Sequence, residues 1–203
     1  MDREAPCVYV VDDDEAVRDS LKVLLSSVGL SSRAYASAPS FLEDHDSDQH
    51  SCLVADIRMP GMSGLDLQDE LNRRASTIPI VFITGHGDVP MAVDAMKSGA
   101  LDFIQKPFRD QDLLDRIHQA LEWDARRREE NQEASDVRAK LATLTARETE
   151  VMERVVGGQA NKVIALDLGV SQRTVEIHRA RVMQKMDARS LADLVRMVGQ
   201  VSG

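Results

Sequence analysis

Side chains suited to phosphoryl chemistry stand at four points in the first half of the chain. They are the run Asp12-Asp13-Asp14, then Asp56, Thr84 and Lys106. Grouped carboxylates repel one another unless a cation lies among them, and a hard divalent ion with oxygen ligands, most naturally Mg²⁺, meets that need. An aspartate beside such an ion can attack a phosphoryl group, while a lysine ammonium neutralises charge on the transferred oxygens. These residue types predict a phosphoryl-accepting site, provided that the fold brings the four points together.

Short apolar runs alternate with amphipathic stretches over the first 124 residues. The runs predict strands over Cys7–Val11, Ser31–Tyr35, Cys52–Ala55, Ile78–Ile83 and Leu101–Ile104. The amphipathic stretches predict helices over Glu15–Val28, Ser37–Glu43, Leu65–Arg74, Val89–Ser98 and Asp110–Trp123. Five strands alternating with five helices indicate an α/β domain with a doubly wound parallel sheet. Ligands of such sheets bind outside the carboxyl ends of the strands, which is where all four chemical features fall.

Each of these features has a purely structural alternative. Three aspartates after a strand often form only a helix-capping turn, and a threonine at a strand end is commonly structural. The Lys-Pro-Phe sequence at residues 106–108 is a weak signal when taken alone. Four features that arrive together at one edge of a sheet are harder to explain without chemistry.

The net charge of −9 is divided unevenly along the chain. Residues 1–124 carry 11 Lys and Arg against 23 Asp and Glu, residues 125–141 carry 5 against 4, and residues 142–203 carry 9 against 7. This asymmetry predicts an acidic first domain over 1–124, a charged helical linker over 125–141 and a second domain over 142–203. Nucleic acid is a reasonable partner for the second domain, although clustering of its charge matters more than its small positive sum.

Membrane and export signals are lacking in the sequence, so we expect a cytoplasmic protein with no membrane partner. No apolar run approaches the ~18 residues of a membrane span, and the N-terminus has no basic segment followed by an apolar one. The two cysteines, Cys7 and Cys52, show no metal-ligand spacing. Because they begin strands that are neighbours in a 2-1-3-4-5 sheet, a redox pair is an alternative to two small buried residues.

The predicted linker, 125–141, lacks Gly and Pro and is densely charged, so it could continue the preceding helix. Acidic and basic residues at helical spacing support such a helix in water. One hypothesis is a solvated helical linker. The other is a short coiled-coil contact between two copies, for which the apolar seam is sparse.

The last part of the chain has the pattern of a helix-turn-helix domain. Thr145 and Glu148 form a capping box that opens a helix, which we expect to end near Gly157-Gly158. Further helices are predicted over Asn161–Leu168, from Ser171 to about Met186, and over Ser190–Val198. The sequence thus predicts an all-α domain of four helices, with the third free to enter a major groove.

The third of these helices separates an apolar stripe from a polar face. Val175, Val182 and Met186 fall on one stripe and should pack inward. Candidates for base contacts on the other face are Arg173, Glu176, Ile177, Ala180, Arg181 and Gln184. Candidates for backbone contacts are Lys162, Thr174, Arg179 and Arg189.

The alternative for each cation is an ordinary solvated side chain. Arg179 lies near the apolar stripe and could instead pair with Glu148. His178 is better explained as a packed flanking residue than as a metal ligand.

Four motifs resemble the bacterial receiver domain over nearly all of residues 6–123. They are Val-Val-Asp-Asp-Asp at 10–14, Leu-Val-Ala-Asp-Ile-Arg-Met-Pro-Gly-Met-Ser-Gly at 53–64, Ile-Thr-Gly-His-Gly at 83–87 and Lys-Pro-Phe at 106–108. The resemblance implies a flavodoxin-like fold with Asp56 as phosphoacceptor. It implies that Asp12, Asp13, Asp56 and the Arg58 carbonyl hold Mg²⁺.

The same resemblance assigns roles to four further features of the pocket. Thr84 would bond a phosphoryl oxygen and Lys106 would form an ion pair with it. The Lys106–Pro107 peptide would be cis, and Asp14 would be a helix cap or a surface acid. Movement of Thr84 toward the phosphate would let Phe103 turn inward, although Phe103 could simply be a core residue.

The C-terminal motifs resemble the LuxR/NarL-type DNA-binding domain over about residues 142–200. They are Leu-Thr-x-Arg-Glu, Asn-Lys-x-Ile-Ala and Arg-Thr-Val-Glu-x-His-Arg. With the stretch at 85–93, the chain resembles the FixJ subfamily of two-component response regulators. This implies a transcription activator, not an enzyme, whose partners are a sensor histidine kinase, promoter DNA, RNA polymerase and, on phosphorylation, a second copy of the chain.

Two other functions are alternatives to this interpretation. Asp12-x-Asp14 after a strand also resembles the nucleophile motif of haloacid-dehalogenase-type phosphatases, but that reading leaves Asp56 unexplained. A DNA-binding regulator that works without phosphorylation is the second alternative, and the complete set of pocket residues argues against it.

Overall fold

The computed structural model describes residues 5–85 and 89–201, and it divides after Arg128 into two compact units. The first contains β1 (Cys7–Val11), α1 (Glu15–Ser27), β2 (Ser31–Tyr35), α2 (Ala38–Asp44), β3 (Ser51–Asp56), α3 (Gly64–Arg73), β4 (Ile80–Thr84), α4 (Val89–Lys97) and β5 (Asp102–Gln105). A long helix, α5 (Asp110–Ala142), begins in the first unit and ends in the second. The second unit continues with α6 (Ala146–Val156), α7 (Asn161–Leu168), α8 (Gln172–Met186) and α9 (Leu191–Val201).

The five strands form a parallel sheet in the order β2-β1-β3-β4-β5, which confirms the predicted topology. Because β1, β3 and β4 are buried on both faces, their sequences are nearly continuous apolar runs. Residues of α1 and α5 cover one face of the sheet, and residues of α2, α3 and α4 cover the other. All five carboxyl ends of the strands point to one edge, where the polar candidates lie.

The two cysteines occupy opposite faces of the sheet, so the redox-pair hypothesis is wrong. Val8, not Cys7, lies beside Cys52 in the β1–β3 register. Successive side chains of a strand point to opposite faces, which places Cys7 in one core cluster and Cys52 in the other. Both are buried free thiols, as the simpler prediction stated.

Two strands begin later than predicted, β5 by one residue, at Asp102 rather than Leu101, and β4 by two. The apolar run at 78–83 suggested a strand from Ile78, but β4 begins at Ile80. Pro79 has no N–H to donate to the ladder, although its carbonyl accepts from the Leu53 N–H at 2.9 Å.

The second unit has its own apolar core, built from α6–α9 and the end of α5. Val137 is buried in this core, so the last turns of α5 are part of the domain rather than free in solvent. Residues 129–136 are exposed except for the half-buried Ala134. The predicted capping box of Thr145 and Glu148 is present, and Ser171 caps α8 through the Thr174 N–H.

Candidate functional site

The Lys106 ammonium joins two carboxylates at the carboxyl edge of the sheet. Its Nζ lies 2.9 Å from Oδ1 of Asp56 and 3.1 Å from Oδ2 of Asp12. Asp56 is the last residue of β3, Asp12 follows β1, and Lys106 follows β5. The parallel topology therefore brings together three residues that lie far apart in sequence, as predicted.

Asp12 is buried and its polar atoms are held from several sides. Oδ1 accepts a hydrogen bond from the Asp14 N–H at 2.9 Å, while Oδ2 faces Lys106. The side chain of Asp14 accepts from the Ala16 N–H and caps α1, which confirms its expected role as a helix cap. The triple aspartate therefore serves both as a helix start and as part of the pocket.

Asp56 is buried, with one carboxylate oxygen held by the backbone and the other by Lys106. Its Oδ2 accepts from the Arg58 N–H at 2.7 Å. Burial raises the pKa of the Asp56 carboxyl above its ordinary value, and the nearby Lys106 ammonium offsets only part of that rise. Burial alone would lower the pKa of Lys106, but its hydrogen bonds to Asp56 and Asp12 outweigh burial and raise it. Lys106 therefore stays protonated at neutral pH.

A main-chain hydrogen bond between residues seven positions apart closes the loop after β3. The Gly64 N–H donates to the Ile57 carbonyl at 2.9 Å, and Ser63 and Asp66 form a capping box at the start of α3. This support for the loop was not predicted from the sequence. The Ser-x-x-Asp spacing at 63–66 was the signal that could have revealed it.

The donor chemistry of the pocket fits Mg²⁺. Two buried carboxylates, those of Asp12 and Asp56, converge on one cation, and Mg²⁺ in proteins commonly takes one or two carboxylates and keeps several waters. Asp13 is exposed next to them. Within 5–85 and 89–201 no three or more His, Cys, Asp or Glu side chains are grouped so that they could hold a metal ion, so Asp13 does not join Asp12 and Asp56 in one ready-made ligand set.

Thr84 and Phe103, the predicted switch pair, lie on the same face of the sheet. Phe82 pairs with Phe103 and Thr84 pairs with Gln105 in the β4–β5 register, so all four alternate onto one side. Thr84 is buried, and its hydroxyl donates to the Gly85 carbonyl at 3.1 Å. Phe103 is half-buried against the core on the α3 side.

Two other expectations concern this edge of the pocket. Residues 86–88 of the predicted 85–93 motif lie outside the described residues. The Lys106–Pro107 peptide is cis, as predicted.

The exposed face of α8 carries the predicted DNA-reading set. Arg173, Glu176, Ile177, Ala180, Arg181 and Gln184 are all exposed. Val175, Val182 and Met186 are buried in the core, so the predicted stripe is confirmed. Lys162 on α7 and Arg189 before α9 are exposed too, while Thr174 is half-buried.

The suggested pairing of Arg179 with Glu148 is wrong. Nη1 of Arg179 donates to Oδ1 of Asn161 at 2.5 Å, which ties α8 to the start of α7. Glu148 is buried and pairs instead with Lys185 at 2.7 Å. Lys185 also donates to the Thr143 carbonyl at 2.9 Å, so it links α8 to the start of α6. Lys185 was not among the predicted residues, and its position three residues beyond Val182 gave no signal of a buried partner.

His178 is half-buried beside these contacts, as expected for a packed flanking residue. Among the described residues it belongs to no group of side chains that could hold a metal.

Two family models match the chain in the order of its two units. The response regulator receiver domain matches residues 8–118, and the model of bacterial regulatory proteins of the luxR family matches residues 142–198. The chain belongs to the two-component response regulators with a LuxR-type DNA-binding domain. It is a transcription regulator of this family, as the sequence motifs indicated.

Curated relatives align with this response regulator over nearly its whole length. Nodulation protein W of Bradyrhizobium diazoefficiens is 52% identical over 94% of this chain and 84% of its own. The transcriptional regulatory protein FixJ of Azorhizobium caulinodans is 48% identical over 94% and 90%.

Solved structures agree with these relatives. The response regulator StyR superposes with a TM-score of 0.87 at 47% identity, covering 97% of this chain and 99% of its own. Full-length FixJ from B. japonicum gives 0.60 at 43% identity, with 96% of each chain covered. In the described part of the regulator, no helix has the length and apolarity that crossing a membrane requires.

Proposed function

We propose that this regulator accepts a phosphoryl group on Asp56 from a sensor histidine kinase and, once phosphorylated, dimerises and binds promoter DNA in the cytoplasm to activate transcription. The observation that carries the proposal is the Lys106 ammonium between the Asp56 and Asp12 carboxylates. Asp56 is nearly closed off from water, and its neighbours supply the charges that phosphoryl transfer needs.

Each residue of the pocket has a separate role in the proposed phosphoryl transfer. A carboxylate oxygen of Asp56 forms a bond to phosphorus while the bond from phosphorus to the kinase histidine nitrogen breaks. The Lys106 ammonium, which pairs with the Asp56 carboxylate in this structure, would pair with a phosphoryl oxygen after transfer and offset its charge. The Asp12, Asp13 and Asp56 carboxylates with the Arg58 carbonyl would hold Mg²⁺, which would supply further positive charge to those oxygens.

Thr84 and Phe103 are proposed to carry the signal away from Asp56. Their place on one face of the sheet supports this, since a shift of the Thr84 hydroxyl toward a phosphoryl oxygen frees space beside the half-buried ring. The ring in turn packs against the core on the α3 side. In this proposal residues 1–124 are the receiver domain, 125–141 the linker and 142–203 the DNA-binding domain.

Phosphorylation is tested by intact mass after incubation with acetyl phosphate and Mg²⁺. We expect the wild type to gain one phosphoryl group, Asp56→Asn to gain none, and Lys106→Met to gain it far more slowly. Steady hydrolysis of a generic phosphomonoester that Asp12→Asn abolishes and Asp56→Asn does not would favour the phosphatase alternative. If Asp56→Asn gained a phosphoryl group as fast as the wild type does, the assignment of Asp56 as the nucleophile would be overturned.

The DNA-binding role of α8 is supported by its exposed Arg173, Arg181 and Gln184 on a helix anchored from the opposite side. A duplex that binds the regulator can be selected from random sequences. On it we expect Arg181→Ala to cost about 1–3 kcal/mol and to relax preference at one base pair. Lys162→Ala should weaken all duplexes alike and lower the salt slope by about 1. If neither substitution altered the base preference or the salt slope, the proposed DNA interface would be refuted.

A further inference from the structure

A hydrogen bond from α1 holds the main chain of the acidic pocket. Nη1 of Arg18 donates to the main-chain carbonyl of Asp12 at 2.7 Å, and the side chain is half-buried. The parallel ladder of β1 ends at Val11, which pairs with Tyr35 on one side and Ala55 on the other. The Asp12 carbonyl therefore lies beyond the ladder, and Arg18 supplies the donor that a neighbouring strand would otherwise give.

This carbonyl belongs to the peptide that joins Asp12 to Asp13. The other side of Asp12 is held by its N–H, which donates to the Tyr35 carbonyl at 3.3 Å, and its carboxylate is held by Lys106 and the Asp14 N–H. A buried carbonyl that loses its donor costs free energy unless the peptide turns toward water. Unless the change in ψ of Asp12 is compensated by φ of Asp13, such a turn also changes the direction of one acidic side chain relative to the other.

We propose that Arg18 is a positioning residue for the metal pocket: its guanidinium fixes the Asp12–Asp13 peptide so that both carboxylates can serve one divalent cation. This rests on the proposed function, because it assumes that these acids hold Mg²⁺. Arg18 is the fourth residue of α1 and reaches back to the site from the end of the first turn, since helical side chains lean toward the N-terminus. Arg18 uses one donor, Nη1, for this bond, and the donors of a planar guanidinium are fixed in direction, whereas a lysine ammonium is a point charge on a flexible stem.

Charge and position predict opposite effects of removing Arg18. Loss of a cation near the acidic run would, through charge alone, strengthen the binding of a divalent ion. Loss of a positioning contact would weaken it, and removal of a residue that orients metal ligands typically costs about 10–100-fold in affinity. Whether the affinity for a divalent ion rises or falls when Arg18 is removed therefore decides between an effect of charge and an effect of position.

The test is the affinity of the purified full-length regulator for Mn²⁺, measured by electron paramagnetic resonance without any phosphodonor. We expect Arg18→Met to bind about 10–100-fold more weakly than wild type, and Arg18→Lys, which keeps the charge, to bind more weakly by a smaller factor. Lys22→Met is the matched control, because Lys22 lies one turn further on α1, exposed and paired only with Asp19 at 3.2 Å in the described contacts. It should bind as the wild type does.

Thermal unfolding of each variant without metal shows whether weaker Mn²⁺ binding comes from lost positioning of the carboxylates or from loss of the folded state. If Arg18→Met is poorly folded, Arg18→Lys decides the question. Mn²⁺ affinity of the folded variant equal to or above that of wild type would overturn the positioning role while leaving the proposed function intact. If wild type and Asp12→Asn bind Mn²⁺ equally, the metal pocket itself is wrong, and both proposals fall together.

Discussion

A methyl group at Gly64 should disturb the phosphoacceptor more than its size suggests. A Cβ at this position would lie 2.4 Å from the main-chain oxygen of Asp56, 2.9 Å from a ring carbon of Phe82 and 3.0 Å from Cα of Ile57. Ordinary contact begins at 3.4 Å, so the Asp56 carbonyl and the start of α3 must separate by about 1 Å. Two of the three atoms belong to the backbone, which cannot move aside as a flexible side chain can.

We therefore expect Gly64→Ala to lower the free energy of unfolding by about 1–3 kcal/mol, as overpacking does. Because a displacement of about 1 Å at a reacting group can cost about 100-fold in rate, labelling of Asp56 by acetyl phosphate should slow by about 10–100-fold. Urea unfolding measures the first effect, and the time course of intact mass measures the second at a temperature where the variant is folded.

Gly61→Ala, in the same loop, is the matched control for this experiment. Gly61 has a φ of +77°, and a Cβ there would meet nothing within 4 Å. The left-handed conformation should cost about 1–2 kcal/mol of stability without moving Asp56. Equal loss of labelling rate in both variants, or a wild-type rate in Gly64→Ala, would refute the reasoning.

Three further predictions concern stability. Ala75 adopts a φ of +54°, so Ala75→Gly should raise the free energy of unfolding by about 0.5–1 kcal/mol, measured with urea; a loss would contradict the assigned backbone strain. Thr145→Ala removes the cap of α6 and should destabilise the second unit by about 1 kcal/mol in thermal unfolding, whereas an unchanged transition would show that the cap is dispensable. Hydrogen bonds from Lys185 and from the Thr145 N–H lower the pKa of Glu148 from 4.5 to about 2, so the stability that its charge contributes is complete above pH 4.5 and is lost as the pH falls toward 2. Unfolding of wild type and Glu148→Gln over that range should show a steeper loss for wild type, and parallel curves would refute it.

Much of the pocket follows from sequence because parallel topology fixes where strands end. Asp12, Asp56 and Lys106 each stand at the end of an apolar run, and a doubly wound sheet places all such ends at one edge. The caps of α1, α6 and α8 could be predicted for a similar reason, since a side-chain oxygen and an N–H two or three residues later form a local contact.

Contacts that depend on strand register or on the reach of long side chains could not be predicted from the sequence. Cys7 and Cys52 looked close because their strands are neighbours, but one residue of register puts them on opposite faces. The choice of Lys185 over Arg179 as partner of Glu148 depends on how α8 is rotated against α6, which no periodicity specifies. Arg18 donates to a main-chain carbonyl, and because every residue has one, the residue types do not show which carbonyl accepts the bond.

The central claim, that phosphorylation of Asp56 controls DNA binding, is tested most directly by one affinity measurement. The affinity of the full-length regulator for a selected duplex is measured with and without beryllofluoride and Mg²⁺, on wild type and Asp56→Asn. Coupling between two sites is typically worth about 1–3 kcal/mol, so wild type should bind about 5–150-fold more tightly with beryllofluoride, and Asp56→Asn should not respond. An unchanged wild-type affinity, or an equal response of Asp56→Asn, would contradict the account.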